Sequence, residues 1–141
     1  MKLIKLFLRI AIAVGFLSAV ADRFGFWAKE VSAWGNWDSF LEYTQLINPI
    51  LPESLISPIG IAATVAEIAF ALLLVIGFKT ELVARLSGFL ILIFAISMMT
   101  SIGIKSVFDY SVLSASAGAF ALSTMKEKFL ELDLLFNNTN D

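Results

Sequence analysis

The chain has 141 residues, of which 59% are hydrophobic and only 16% charged, and its mean hydropathy of +0.88 is far above that of an ordinary soluble domain. A formal net charge of −2 without any Lys/Arg cluster excludes nucleic acid as a partner. The absence of Cys and His excludes thiol exchange by the chain itself, bis-His haem ligation and the usual zinc or Fe–S centres, so any redox role has to be borrowed.

A helix needs roughly 20 apolar residues to cross about 30 Å of hydrocarbon, so the lipid bilayer is the first partner and the chain holds at most four or five spans. The first runs from about Leu3 to Phe24, with Lys2, Lys5 and Arg9 at its start. It imitates a signal peptide, with Ala19-Val20-Ala21 resembling a cleavage site. Its continuation into "DRFGFW", and Ala11, Gly15 and Ala19 on one close-packing face, favour an uncleaved span. The connection from about Gly25 to Ser57 is long enough to have structure: Asp38 can cap a short helix with Phe40, Tyr43 and Ile47 on one face, ended by Pro49 and Pro52. This segment is expected to lie on the membrane surface or to cover the mouth of the bundle. A second span is expected over about Pro58–Phe78, opened by proline and closed by the polar turn "KTE". A third covers about Leu82–Ile102 and a fourth, rich in small residues, about Val107–Met125. The tail 126–141 reads as a short surface helix with a frayed polar end, and its sequon Asn137-Asn138-Thr139 as chance.

The fold class expected is therefore all-α: one domain, a four-helix transmembrane bundle with a partly helical loop between spans 1 and 2. Lys2, Lys5, Arg9, Lys79, Arg85, Lys126 and Lys128 fall on the side of the termini, against Arg23, Lys29 and Lys105 opposite, which makes the termini cytoplasmic. Trp27, Trp34, Trp37 and Tyr43 then form an outer aromatic belt, joined by Tyr110.

One acid interrupts the second span. Gly60, Thr64, Glu67 and Ala71 form a narrow stripe of small and polar residues that would face other helices. A charged acid at mid-bilayer costs about 2.5–3.5 kcal/mol on insertion scales, so Glu67 is expected to be neutral, paired or facing a wet cavity. On the first span, Asp22 continues the stripe Ala11, Gly15, Ser18. Asp22 and Arg23 lie about 13–14 Å above the centre of their span, so an Arg23–Glu67 contact needs the arginine stem plus tilt or axial offset. The serines and threonine at Ser97, Thr100, Ser101, Ser111, Ser114 and Ser116 read as back-bonded or as interhelical glue, and Met98-Met99 as apolar filling.

"GFLSAVADRFGFW" (Gly15–Trp27), "WGNWDSFLEYT" (Trp34–Thr44), "AATVAEIAFALLLVIGFKTE" (Ala62–Glu81), "FAISM" and "GIKSVFDYSVLSASAGAFAL" together resemble the DoxX family of small four-span bacterial membrane proteins over nearly the whole chain. The turn Ala-Asp-Arg-Phe-Gly after the first span and Ala63-Thr64 with Glu67 three residues on carry most of the likeness. The resemblance implies a four-helix bundle in the bacterial inner (cytoplasmic) membrane and an association with membrane oxidoreductases, one relative being tied to a thiosulfate:quinone oxidoreductase. It brings no catalytic residues to carry over. The expected role is a non-catalytic subunit or anchor of a quinone-linked assembly, with quinone as a candidate cofactor and an oxidoreductase or a second copy of the chain as candidate protein partner. Glu67, Asp22, Arg23, Thr64 and Ser18 are the intramembrane candidates, and no metal site is expected. The alternative is a small proton-coupled transporter or ligand carrier using Glu67. A purely structural helix clasp, in which Glu67 only glues helices, also stays open.

Overall fold

The computed structural model describes residues 1–137. Asn138 and Thr139 of the sequon, and the polar end of the tail, lie outside them. Among the described residues all regular structure is helical: α1 Lys2–Arg23, α2 Trp37–Ile47, α3 Glu53–Ile76, α4 Thr80–Ser101, α5 Ile104–Asp109, α6 Val112–Ser123 and α7 Asp133–Asn137. Three of them, α1, α3 and α4, are long and apolar enough to cross a membrane, which marks a multi-pass membrane protein.

The fourth apolar stretch differs from its sequence reading. Instead of one helix over 107–125 the chain makes α5, turns at Tyr110 and Ser111 with Ser111 at φ 54°, and continues as the 12-residue α6. At 1.5 Å per residue α6 is only about 18 Å long. The hydropathy of the stretch is continuous while its backbone is not. α3 also begins earlier than its proline suggested: Pro52, at φ −60°, sets the entry, Glu53 is its first residue, and Pro58 sits inside the helix. The cap of α2 is Asn36, whose side-chain oxygen accepts from the Ser39 amide at 2.8 Å, with Asp38 in the first turn.

α1 packs on α3, and α6 lies along α4. A core of Ile12, Phe16, Ala71, Leu74, Val83, Ala84, Ile91, Ala119 and Leu122 fills the half of the bundle nearer the termini, and a smaller cluster of Ile47, Ala95, Met98 and Val107 lies toward the long loop. Small residues allow the closest approaches. The Phe120 ring lies against Gly88, where an added Cβ would come within 2.9 Å of it, and the Ser116 hydroxyl donates to the Gly88 carbonyl at 2.9 Å. α1 turns a different face inward from the one its small residues suggested. Lys5, Arg9, Ile12, Ala13, Phe16, Val20 and Arg23 are buried, while Ala11 and Gly15 are exposed. Both faces of this helix are apolar, so periodicity alone favours neither.

The end of the bundle that carries the termini is closed by the tail. Lys5 Nζ lies 2.7 Å from the Glu131 carboxylate and donates to the Glu127 carbonyl at 2.9 Å. Arg9, fully buried, donates to the Leu74 and Val75 carbonyls at 2.9 Å each, and to Phe129 and Leu130 in the tail at 2.9 and 3.0 Å. Those α3 carbonyls belong to the last turn, which has no intrahelical donors of its own. The Asp133 carboxylate accepts from the amides of Lys79 and Thr80 at 2.7 and 3.3 Å, so a residue from far along the chain caps α4. Lys5 and Arg9 read in the sequence as charges flanking a span; here they are internal.

Candidate functional site

At the opposite end, α1 and α3 run antiparallel, and their register decides what meets. Arg9 is level with the Leu74 and Val75 carbonyls. About fourteen residues on, roughly 21 Å along α1, Arg23 comes level with the neighbourhood of Gly60, and its stem covers the remaining turn or two. Its Nη2 donates to Glu67 Oε1 at 2.9 Å, Nη1 pairs with Glu67 Oε2, and Nη1 also donates to Thr64 Oγ1 at 2.7 Å. The Thr64 hydroxyl in turn donates to the Gly60 carbonyl at 2.8 Å. Arg23 and Glu67 are each 2% exposed. The contact that the sequence permitted is thus made, and the stripe Gly60, Thr64, Glu67, Ala71 is buried along its length.

Aromatic rings close over the guanidinium. Arg23 Cζ lies 4.0 Å from the Phe40 ring centroid and 5.4 Å from that of Trp34, both contributed by the long loop and α2. Trp34 meets Phe40 edge-on at 5.3 Å and Tyr43 at 5.8 Å, and Trp37 stacks on Phe24 at 5.8 Å. Trp34 and Trp37 therefore build the lid of the site, whereas Trp27 is half-exposed and donates to the Ser18 carbonyl at 3.1 Å.

Asp22 does not join the ion pair. It points into the loop, where its carboxylate accepts from the Ser32 hydroxyl and from the amides of Ala33, Trp34 and Gly35 at 2.7, 3.2 and 3.3 Å. Its role is to fold residues 32–35 into a turn that sets Trp34 above Arg23. Ser18 is partly exposed and also lies apart from the pair. Of the five intramembrane candidates, the structure brings together Arg23, Thr64 and Glu67.

Beyond these rings lies a cavity of about 940 Å³ between α2, α3, α4 and the α5–α6 turn. Arg23, Trp34 and Phe40 form one end, and Gly60, Ala63, Ile59, Ile93 and Phe94 are among its apolar walls. No single stretch of sequence announces this space, because its lining comes from every element of the loop end. The lid is anchored on both sides. Ser97 donates to Asn48 Oδ1 at 3.0 Å and Ser101 to the Ile47 carbonyl at 2.7 Å, which ties the end of α2 to α4. Gly60 lets α2 cross α3 closely, since a Cβ there would come within 2.8 Å of Leu41 Cδ2. Burial, and then the Tyr110 phenol, push the Tyr43 hydroxyl above its ordinary pKa, so at neutral pH it keeps its proton and stays uncharged. Among the described residues no group of three or more acids is placed to hold a metal ion.

Such an arrangement suits binding better than covalent chemistry: a roomy apolar space, a few neutral polar groups, and one cation whose charge is already matched. Comparison of the chain with protein-family models, with curated proteins and with solved structures finds no match.

Proposed function

We propose that the chain is a DoxX-like four-span protein of the bacterial inner (cytoplasmic) membrane, its termini cytoplasmic, that serves as a non-catalytic quinone-binding subunit or anchor of a membrane oxidoreductase. The observation that carries this reading is the cavity of about 940 Å³ under the α2 lid, large enough for a drug-sized apolar ring system. Four crossings are supported by the path of the chain. Ser101 meets Ile47 beside the long loop, whereas Glu127 and Glu131 meet Lys5 at the other end, so α5 and α6 carry the chain back. Lys79, Arg85, Lys126 and Lys128 at the termini support the orientation. With no thiol or imidazole in its sequence, the protein would hold a cofactor for a partner that does the redox chemistry. The ion pair weighs against the alternative of a proton-coupled carrier, because a carboxylate clasped by Arg23 and sealed from solvent is poorly placed to exchange protons.

Native mass spectrometry of the protein gently extracted at native expression, with quinone analysis of the same sample, tests this. Stoichiometric quinone or a co-purifying oxidoreductase is expected. A lone or self-paired chain carrying only ordinary lipid would overturn the proposal.

A further inference from the structure

Resting on the reading of the cavity as a ligand site, we infer that it selects a neutral carbonyl-bearing amphipath over an anionic one, and that Glu67 sets this selectivity by neutralising Arg23. An arginine at the end of an apolar pocket would by itself be a receptor for carboxylate or phosphate, whose geometry its fork matches. Here both terminal nitrogens are already engaged, by Glu67 and Thr64, and aromatic rings cover the face. The other charged side chain in the lining is an acid, Glu42, on an exposed position of α2. With Arg23 cancelled by Glu67, the remaining charge at the cavity is negative, and an anionic head group meets repulsion where a carbonyl meets neutral polar groups such as Asn48, Ser97 and Tyr43.

The route of entry points the same way. Ile59 and Ile93 line the cavity, are both exposed, and belong to α3 and α4, two helices long enough to span a membrane. A ligand that enters between these two helices comes from the acyl chains and has left water already, which favours uncharged molecules. Glu67 reaches the ligand only through Arg23. It is a specificity residue by position, with no chemistry of its own to perform.

The test uses the full chain in nanodiscs of uncharged phosphatidylcholine, with a decyl-substituted benzoquinone and decanoate as probes of matched tail length. Quinone binding is read by tryptophan quenching, decanoate by competition, each corrected against empty nanodiscs. The wild type is expected to bind the quinone at least about tenfold more tightly than decanoate, and Glu67→Gln to move that ratio about tenfold toward decanoate by leaving the guanidinium charge unmatched. Equal wild-type affinities, or an unchanged ratio in a folded Glu67→Gln protein, overturn the inference while leaving the cavity reading intact. If neither probe binds the wild type above empty nanodiscs, the cavity reading itself fails. Should Glu67→Gln not fold, Glu42→Gln at its exposed position decides with the wild-type ratio: decanoate affinity is expected to rise about threefold, and no rise would refute the charge argument.

Discussion

Removing one member of the Arg23–Glu67 pair should cost far more than removing both. Each residue is 2% exposed, and among the described residues the guanidinium pairs with Glu67 as its counter-charge, with Thr64 as a neutral second acceptor. Glu67→Leu leaves a buried cation under Phe40 and Trp34, and Arg23→Met leaves a buried carboxylate. Breaking such a pair from one side costs about 3–5 kcal/mol, whereas replacing both partners by apolar groups of similar size is often neutral. The ring contacts of Arg23 contribute about 0.5–2 kcal/mol, an interaction lost with the arginine but retained in Glu67→Leu. The expected result is two singles each destabilised by about 3–5 kcal/mol and a double variant Arg23→Met/Glu67→Leu within about 1–2 kcal/mol of wild type, a coupling of several kcal/mol. Reversible unfolding of the four proteins in mixed micelles by titration with a denaturing detergent supplies the cycle. Single variants that lose under about 1 kcal/mol, or a double variant that loses the sum of the two, would show that the pair does not hold the helices as described.

Three further expectations concern the lid and the tail. Asp22→Ala removes the acceptor for the Ser32 hydroxyl and three consecutive amides, so hydrogen exchange at residues 33–35 should accelerate at least about tenfold while α3 amides stay unchanged; unaltered exchange would refute the role assigned to Asp22. Gly60→Val places atoms where Leu41 and Phe40 sit, 2.8 and 3.2 Å from a Cβ, and should cost about 1–3 kcal/mol by lifting α2. Because the chain lacks cysteine, maleimide labelling of a single Thr44→Cys reads that opening directly, and equal labelling with and without Gly60→Val would contradict it. The tail contacts should be pH-gated. Burial alone would raise the Asp133 carboxyl, but the amides of Lys79 and Thr80 and the Lys128 ammonium outweigh it and hold it below its ordinary 3.8; burial would lower Lys128, but Asp133 and Glu81 outweigh it and hold it above its ordinary 10.5. Their stabilisation is therefore complete between those ordinary values, lost as pH falls through the depressed Asp133 pKa and as it rises through the raised Lys128 pKa. An environment-sensitive dye on Leu135→Cys should report a plateau from about pH 5 to about pH 10, and release of the tail inside that range would refute the assignment.

The parts of this molecule that were legible in the sequence are those governed by local pattern. α1, α3 and α4 announce themselves by length and hydropathy, α2 by the spacing of Phe40, Tyr43 and Ile47 between turn residues, and Glu67 by its isolation among apolar neighbours on a stripe with Gly60 and Thr64. What was not legible depends on contacts between distant segments. Lys5 and Arg9 occupy the same place as solvated charges at the start of any span, and only the approach of Glu131 and of the Phe129 and Leu130 carbonyls makes them internal. The spacing of Lys5 and Arg9 by one helical turn, opposite a tail bearing Glu127 and Glu131, was the available hint. The break before α6 has no proline to mark it and rests on Ser111 adopting a positive φ. Asp22 looked like an extension of a helical stripe, but a carboxylate at a helix end finds loop amides within reach and turns to them. The cavity is missing from any single segment because it is what remains when six helices fail to fill their common space.

On the proposed function, a bilayer-soluble neutral ligand sits in the cavity above the Arg23–Glu67 pair. Photolabelling of the full chain in nanodiscs with an azido derivative of the decyl benzoquinone, followed by peptide mapping, locates that ligand. Adducts are expected on the cavity walls, at Tyr43 in α2 and at Ile59 and Phe94 on the facing helices, suppressed by excess unlabelled quinone. Adducts spread along the exposed faces of α1 and α4, at positions such as Val14 and Leu86, with no suppression by excess quinone, would contradict it.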